Sequence, residues 1–169
     1  MLPQDVSGAP GRGTWHHHSK PPKGRTRTMS SRHDSVTSEM ELRLVMGDGA
    51  DRQVRAELTY SPGDPYAVRI GFHTGGDDVV EWTFARSLLT DGVTHPVGDG
   101  DVQVWPCTGD SGEQHVRLSL SSPSGKALFE APLPRLVQFL TQTYALVPTG
   151  CESDFVDVGA ELAMLLGED

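Results

Sequence analysis

The side chains of this sequence best suited to chemistry are His73, His95 and His115, Cys107 and Cys151, and the loop aspartates Asp77, Asp78, Asp99 and Asp101. Imidazole and thiolate are the ordinary ligands of zinc, and grouped carboxylates those of calcium. Either metal needs several ligands to converge, usually from a motif of fixed spacing. Here the histidines are scattered over separate segments, the cysteines stand 44 residues apart, and no recognised ligand interval is present. No metal site is expected. Nucleophilic chemistry fares no better. A reactive cysteine needs a base or a cation beside it, and no histidine lies near Cys151 in the sequence. An inert thiol is the better reading. Gly109-Asp110-Ser111-Gly112 has the look of a turn, not of a nucleophile elbow, because no strand-to-helix junction frames the serine. A phosphate-cradling loop and a dinucleotide fingerprint are both missing. The sequence predicts no catalytic residues, no cofactor and no enzyme.

Two further groups invite a binding role. Trp82, Phe84 and Trp105 could stack the bases of a single strand of nucleic acid. Trp82 and Phe84 are two apart, however, and so share one face of a strand, where core packing accounts for them. Charge points the same way. Residues 1–28 carry five basic side chains against Asp5 alone, whereas residues 29–169 hold nine basic and 22 acidic ones. A body this acidic repels a phosphate backbone. The run His16–His18 could hold a metal ion weakly, but a chance run in an unstructured leader explains it as well.

The elements that must position these residues follow from periodicity. Residues 1–36, rich in Gly, Pro, Ser and Thr, offer no apolar pattern to offset ordering entropy and read as a disordered leader. Met29 opens a more usual beginning, so residues 1–28 are expected not to belong to the native protein. Residues 37–169 then form one domain, a size that supports a real core. Met40, Leu42, Leu44 and Met46 alternate with more polar neighbours, as do Val54, Ala56, Leu58 and Tyr60. Tyr66, Val68, Ile70 and Phe72 continue the period-2 pattern, and Val79–Phe84 follows after Gly75-Gly76. Ala85–Thr90 is predicted as a short helical turn. Strands are predicted over Asp101–Trp105, Gln114–Leu120 and Lys126–Glu130. From Pro134 the period changes to 3–4, with Leu136, Leu140, Tyr144 and Val147 on a stripe, and a second helix is predicted over Val158–Leu166. That last stripe could seal the domain's own core or meet a second subunit. About seven strands followed by helices mean an α+β fold built on an antiparallel meander. No apolar run approaches the ~18 residues of a membrane helix, and no apolar signal segment follows the N-terminal charges. A cytoplasmic protein is expected.

Several blocks resemble the SsgA-like proteins of sporulating actinomycetes. They are ELRLV at 41–45, DPYAV at 64–68, FHTG at 72–75, EWTFARSLL at 81–89 and GDGDVQVWP at 98–106. LSSPSGKALFEAP at 120–132, FL at 139–140, VPTG at 147–150, Asp157 and Glu161-Leu162 follow in the same order. The resemblance implies a strongly bent antiparallel sheet with C-terminal helices, similar to the whirly fold of single-strand nucleic-acid binders, and assembly as a homotrimer. It also implies a cofactor-free scaffold at the cell septum. The best-understood member type recruits the tubulin-like division GTPase FtsZ together with a second SsgA-like protein. The whirly likeness keeps a nucleic-acid binder as the alternative. Gly159 stands where an Asp helix cap is expected in the family, and the loop Cys107–Glu113 is this chain's own. The first weakens that helix start; the loop, with the leader, leaves the member type open, and the partner-binding residues are not legible.

Overall fold

The structure, a computed structural model, describes residues 34–76 and 78–156. Strands β1 (Val36–Leu44), β2 (Arg52–Tyr60), β3 (Ala67–Gly75) and β4 (Asp78–Ala85) form a first antiparallel meander. Helix α1 (Arg86–Gly92) leads into a second meander, β5 (Val102–Thr108), β6 (Gln114–Ser122) and β7 (Gly125–Pro132). Helix α2 (Leu133–Leu146) and a 3-10 turn (Glu152–Phe155) complete the described chain. The expected α+β architecture, with its seven antiparallel strands, is the one observed.

The two meanders join in one sheet of order β4-β3-β2-β1-β7-β6-β5. Their seam is short. Only Arg43 opposite Glu130 and Leu44 opposite Phe129 pair across it, with Val45 N–H donating to the Leu128 carbonyl at 2.8 Å just beyond. A sheet held so narrowly at its middle can curl there, and it does, into a half-barrel. Alternate residues of every strand point to the concave side: Leu42, Ala56, Leu58, Val68, Ile70, Phe84, Val104, Val116 and Leu118 are all buried.

Helix α1 bridges the two edges of the curl, packing on both β4 and β5. Leu89 is fully buried beneath it, and at Gly92 a Cβ would overlap the Val104 side chain. Helix α2 starts with a proline in its first turn, where the missing N–H costs nothing. It lays Leu136, Phe139, Leu140 and Thr143 against β1, β6 and β7.

Two expectations fail in detail. Tyr66 precedes β3 and is 56% exposed, because the Ser61–Pro65 turn continues until Ala67 N–H closes onto the Asp64 carbonyl. Met46 lies past β1 at a solvated turn, where Gly49 N–H donates to its carbonyl. The predicted helix over Val158–Leu166, residues 1–33 of the expected leader, and Asp77 lie outside the described residues.

The β5 edge is protected by its own chain. Val97 and Val104 exchange both backbone hydrogen bonds, at 2.8 and 2.9 Å. Gly98 permits this with φ near 95°, and a Cβ there would overlap the Val102 carbonyl oxygen. Gly98→Ala is therefore expected to cost about 1–3 kcal/mol in urea unfolding, the usual range for a strained backbone position. A neutral result would show that the Val97 bridge forms without left-handed geometry.

Candidate interaction surface and the network behind it

The residues that first suggested chemistry do not come together. His73 lies on the convex face of β3, opposite Val79. His95 follows α1, its Nδ1 2.9 Å from the Thr94 hydroxyl. Register sets His115 directly across from Cys107. Even so, the imidazole Nδ1 sits 3.3 Å from the Glu113 carbonyl, and burial pushes the Cys107 thiol up, away from the thiolate a nucleophile needs. Cys151 is half-buried beside the 3-10 turn. No three potential metal ligands cluster among the described residues. The aromatic platform also dissolves. Trp82 and Phe84 do share the concave face, with ring centroids 6.4 Å apart, whereas Trp105 alternates with buried Val104 and faces the convex side.

Two polar networks that sequence reasoning passed over hold the curl in shape. On the convex face Glu130 is 2% exposed, yet it faces away from the core. Arg43 of β1 and Arg117 of β6 flank it in register. Arg117 Nε donates to Glu130 Oε1 at 2.8 Å, and Arg43 Nε to Oε2 at 2.8 Å, with a second, shorter contact from Arg43 Nη2. The carboxylate is thus clamped across the seam between the meanders.

The second network centres on Arg86, at the first position of α1 and 2% exposed. Its guanidinium carbon lies 4.9 Å from the Tyr60 ring centroid and 4.1 Å from that of Tyr144. Nη1 donates to the carbonyls of Thr143 (3.2 Å) and Val147 (2.8 Å), and Nη2 to Glu152 Oε1 (2.6 Å). A cation is well placed against the carbonyls at a helix C-terminus, which lack partners inside the helix. Gly150 N–H donates to the other Glu152 oxygen at 2.7 Å, and Tyr60 donates its hydroxyl proton to the Pro65 carbonyl at 3.1 Å. One side chain so ties β2, α1, α2 and the 3-10 turn together.

Both glutamates are held below the ordinary carboxylate range. Burial pushes Glu130 up, but the hydrogen bonds and charges of Arg43 and Arg117 together outweigh it. For Glu152 the bond from its own backbone N–H is the largest cause, with Arg86 and the Gly150 N–H adding to it against burial. A depressed native pKa contributes stability fully above about 4.3, the unfolded value for glutamate, and loses it as pH falls through the native value. Urea midpoints are expected to hold between pH 7 and 5 and to drop below about pH 4. Glu130→Gln should lower the midpoint at pH 7 and flatten the acid slope. An unchanged slope in that variant would assign the acid loss elsewhere.

An open apolar groove lies at the end of the half-barrel where the β3–β4 and β6–β7 hairpins turn. It has a volume of about 270 Å³ and is lined by Leu44, Phe72, Thr74, Val80, Trp82, Leu120, Ser122, Ser124, Gly125, Lys126, Ala127 and Phe129. Phe72 and Phe129 stack beneath it, centroids 4.4 Å apart and planes 22° from parallel. Among the described residues no carboxylate, histidine or cysteine lines it. It is smaller than the ~300–1,000 Å³ typical of small-molecule sites and suits one or two docked side chains.

This geometry can bind and brace, and among the described residues it brings no acid, base and nucleophile to a common point. Comparison with known proteins decides the lineage. The family described as "Streptomyces sporulation and cell division protein, SsgA" matches residues 54–152. The chain belongs to the SsgA family. Its similarity to individual family members extends further. It is 59% identical over 138 residues to the sporulation-specific cell division protein SsgB of Frankia casuarinae, covering 82% of this chain and 96% of that one. It is 46% identical over 134 residues to SsgB of Streptomyces coelicolor, covering 79% and 97%. A crystal structure of an SsgA-like sporulation-specific cell division protein from Thermobifida fusca superposes with a TM-score of 0.72 at 48% identity, covering 81% and 99%. A solved structure of SsgB from Streptomyces coelicolor, whose mutations correlate with longitudinal cell division during sporulation, gives a TM-score of 0.69 at 47% identity, covering 72% and 94%. The span matched to the SsgA family runs from β2 into the 3-10 turn, so both partners of the Arg86–Glu152 pair fall inside it. No helix among the described residues is long and apolar enough to cross a membrane. These relatives carry sporulation-specific cell division in their names, and a role in that process follows for this chain.

Proposed function

We propose that this member of the SsgA family is a non-enzymatic scaffold of sporulation septation that recruits the tubulin-like GTPase FtsZ and other SsgA-like proteins to the cell septum. It works in the cytoplasm as a homo-oligomer, a trimer, and reaches the membrane only through partners. One observation carries the reading: an SsgB-like chain presents a braced half-barrel with an open apolar groove and, among the described residues, no converging reactive groups. A scaffold needs that combination of a rigid frame and a docking surface, because its output is position and not turnover. The domain is taken to begin near residue 37, with residues 1–28 dispensable.

Co-sedimentation of the purified full chain with polymerised FtsZ tests the recruiting step, with light scattering for the trimer. Retention in the pellet is the expected result. Absence of binding to FtsZ and to every other SsgA-like protein would remove the mechanism, and normal sporulation septa in a deletion strain would remove the role.

A further inference from the structure

The two edges of the half-barrel are unlike. β5 is blunted on its outer side: Val97 pairs with Val104, and two residues on, Pro106 has no proton to donate. β4 has none of these protections. Its strand Asp78–Ala85 contains no proline and no lysine, and α1 covers only its C-terminal end. On the side away from β3, residues 78–84 make no backbone hydrogen bond among the described residues. A row of free N–H and C=O groups is a template for another extended chain. Val79 and Val80 beside it are 50% and 46% exposed, the only adjacent pair of exposed large apolar residues among those described.

The groove lies alongside this edge. Val80 and Trp82 alternate into it along β4, so an added strand would turn every second side chain over the same apolar floor. Between them Glu81 faces the convex side, and Asp78 stands exposed at the strand's start. Arg69 reaches Glu81 only at 4.0 Å, with both side chains 61% exposed, a pair too solvated to neutralise it. A cation opposite Glu81 is the favoured cross-strand neighbour, and the acidic body draws a cationic segment toward it.

We infer that the β4 edge over Asp78–Trp82 receives an extended segment of a partner protein with alternating apolar and basic residues, which adds a strand to the sheet and fills the groove with its apolar side chains. The inference rests on reading the protein as a recruiter and names the surface that does the recruiting.

The test uses the full chain, isotope-labelled for amide spectroscopy, and a heptapeptide alternating isoleucine and lysine. An isomer with the same residues but its lysines grouped serves as the control. Shifts confined to β4 and the groove, with new exchange protection on β4 amides, are expected for the alternating peptide. Val80→Asp, a change at a half-exposed position, should weaken it about tenfold or more, and Val137→Asp on the exposed side of α2 should leave it unchanged. Equal affinity for the two isomers would overturn the inference, as would an oligothymidine shifting the same residues. So would β4 protection that grows with protein concentration alone, since a second copy would then own the edge. Co-sedimentation with the division GTPase separates the two readings. If wild type binds the GTPase but no peptide shifts β4, the edge assignment fails and recruitment stands. If the peptide binds but the GTPase does not, recruitment fails and the edge assignment stands.

Discussion

Arg86→Met is expected to lower the unfolding free energy by about 3–5 kcal/mol, the usual consequence of removing one partner from a buried charge network. Methionine roughly matches the volume, so the loss measures chemistry more than a cavity. Once the guanidinium is gone, the Thr143 and Val147 carbonyls keep no partner from α1, and Glu152 loses its cation. The Tyr60 and Tyr144 rings lose the charge held between them. Arg86→Lys should recover only part of the loss. A lysine is a point charge on a flexible stem and cannot donate to two carbonyls and a carboxylate while lying flat between two rings. Urea denaturation reads the magnitude, and amide exchange reads the place. The 3-10 turn and the end of α2 should open first, while β2–β3 pairing persists until global unfolding. In the same variant the acid sensitivity traced to Glu152 should shrink, because its carboxyl moves back toward the ordinary range. A loss below about 1 kcal/mol would mean that the guanidinium is solvated in the native state, against its 2% exposure.

That Arg86 escaped sequence reasoning has a physical cause. Strand alternation assigns apolar residues inward and charges outward, and this holds for β2, where Val54, Ala56, Leu58 and Tyr60 are all buried. At the β4–α1 junction the period switches, and Arg86 shares the inward stripe with Leu89 three residues on. That stripe was the available signal. Its partners, Tyr60, Tyr144 and Glu152, lie on three distant segments that no local rule connects. Glu130 was hidden differently. Its outward place in β7 is the one alternation gives, but its burial comes from Arg43 and Arg117 flanking it in register, and register across the seam is not written in either strand alone. Helix α2 was legible because Pro134 and the 3–4 spacing of Leu136 and Leu140 are both local. The groove was not legible, because its floor joins β3 to β7, and the strand order that brings them together depends on two paired positions between β1 and β7.

That same short seam makes Phe72 the most consequential core position. Phe72→Ala is expected to cost about 3–5 kcal/mol, as large aromatic truncations do. Phe72→Leu should cost roughly half as much, since much of the lost volume is refilled. Phe72 stacks on Phe129 from the opposite meander, and Phe129 lies in register with Leu44 at the seam itself. Backbone pairing across the seam is only two residues long, so the deletion should loosen the union of the meanders more than either meander alone. The diagnostic readout is cooperativity. Trp82 fluorescence follows the first meander and Trp105 fluorescence the second, and each can be isolated by replacing Trp15 and the other of the two with phenylalanine. In the Phe72→Ala background the two transitions should separate in urea, whereas with Phe72 present they should coincide. Coincident transitions after the truncation would mean that α1 and α2 alone couple the two halves. The groove should fail with its floor: in the alanine variant the alternating peptide should lose affinity even under conditions where β3–β4 pairing is intact by amide exchange. Stability and docking then depend on one aromatic pair, because the curl that buries Phe72 against Phe129 is also what opens the groove above them.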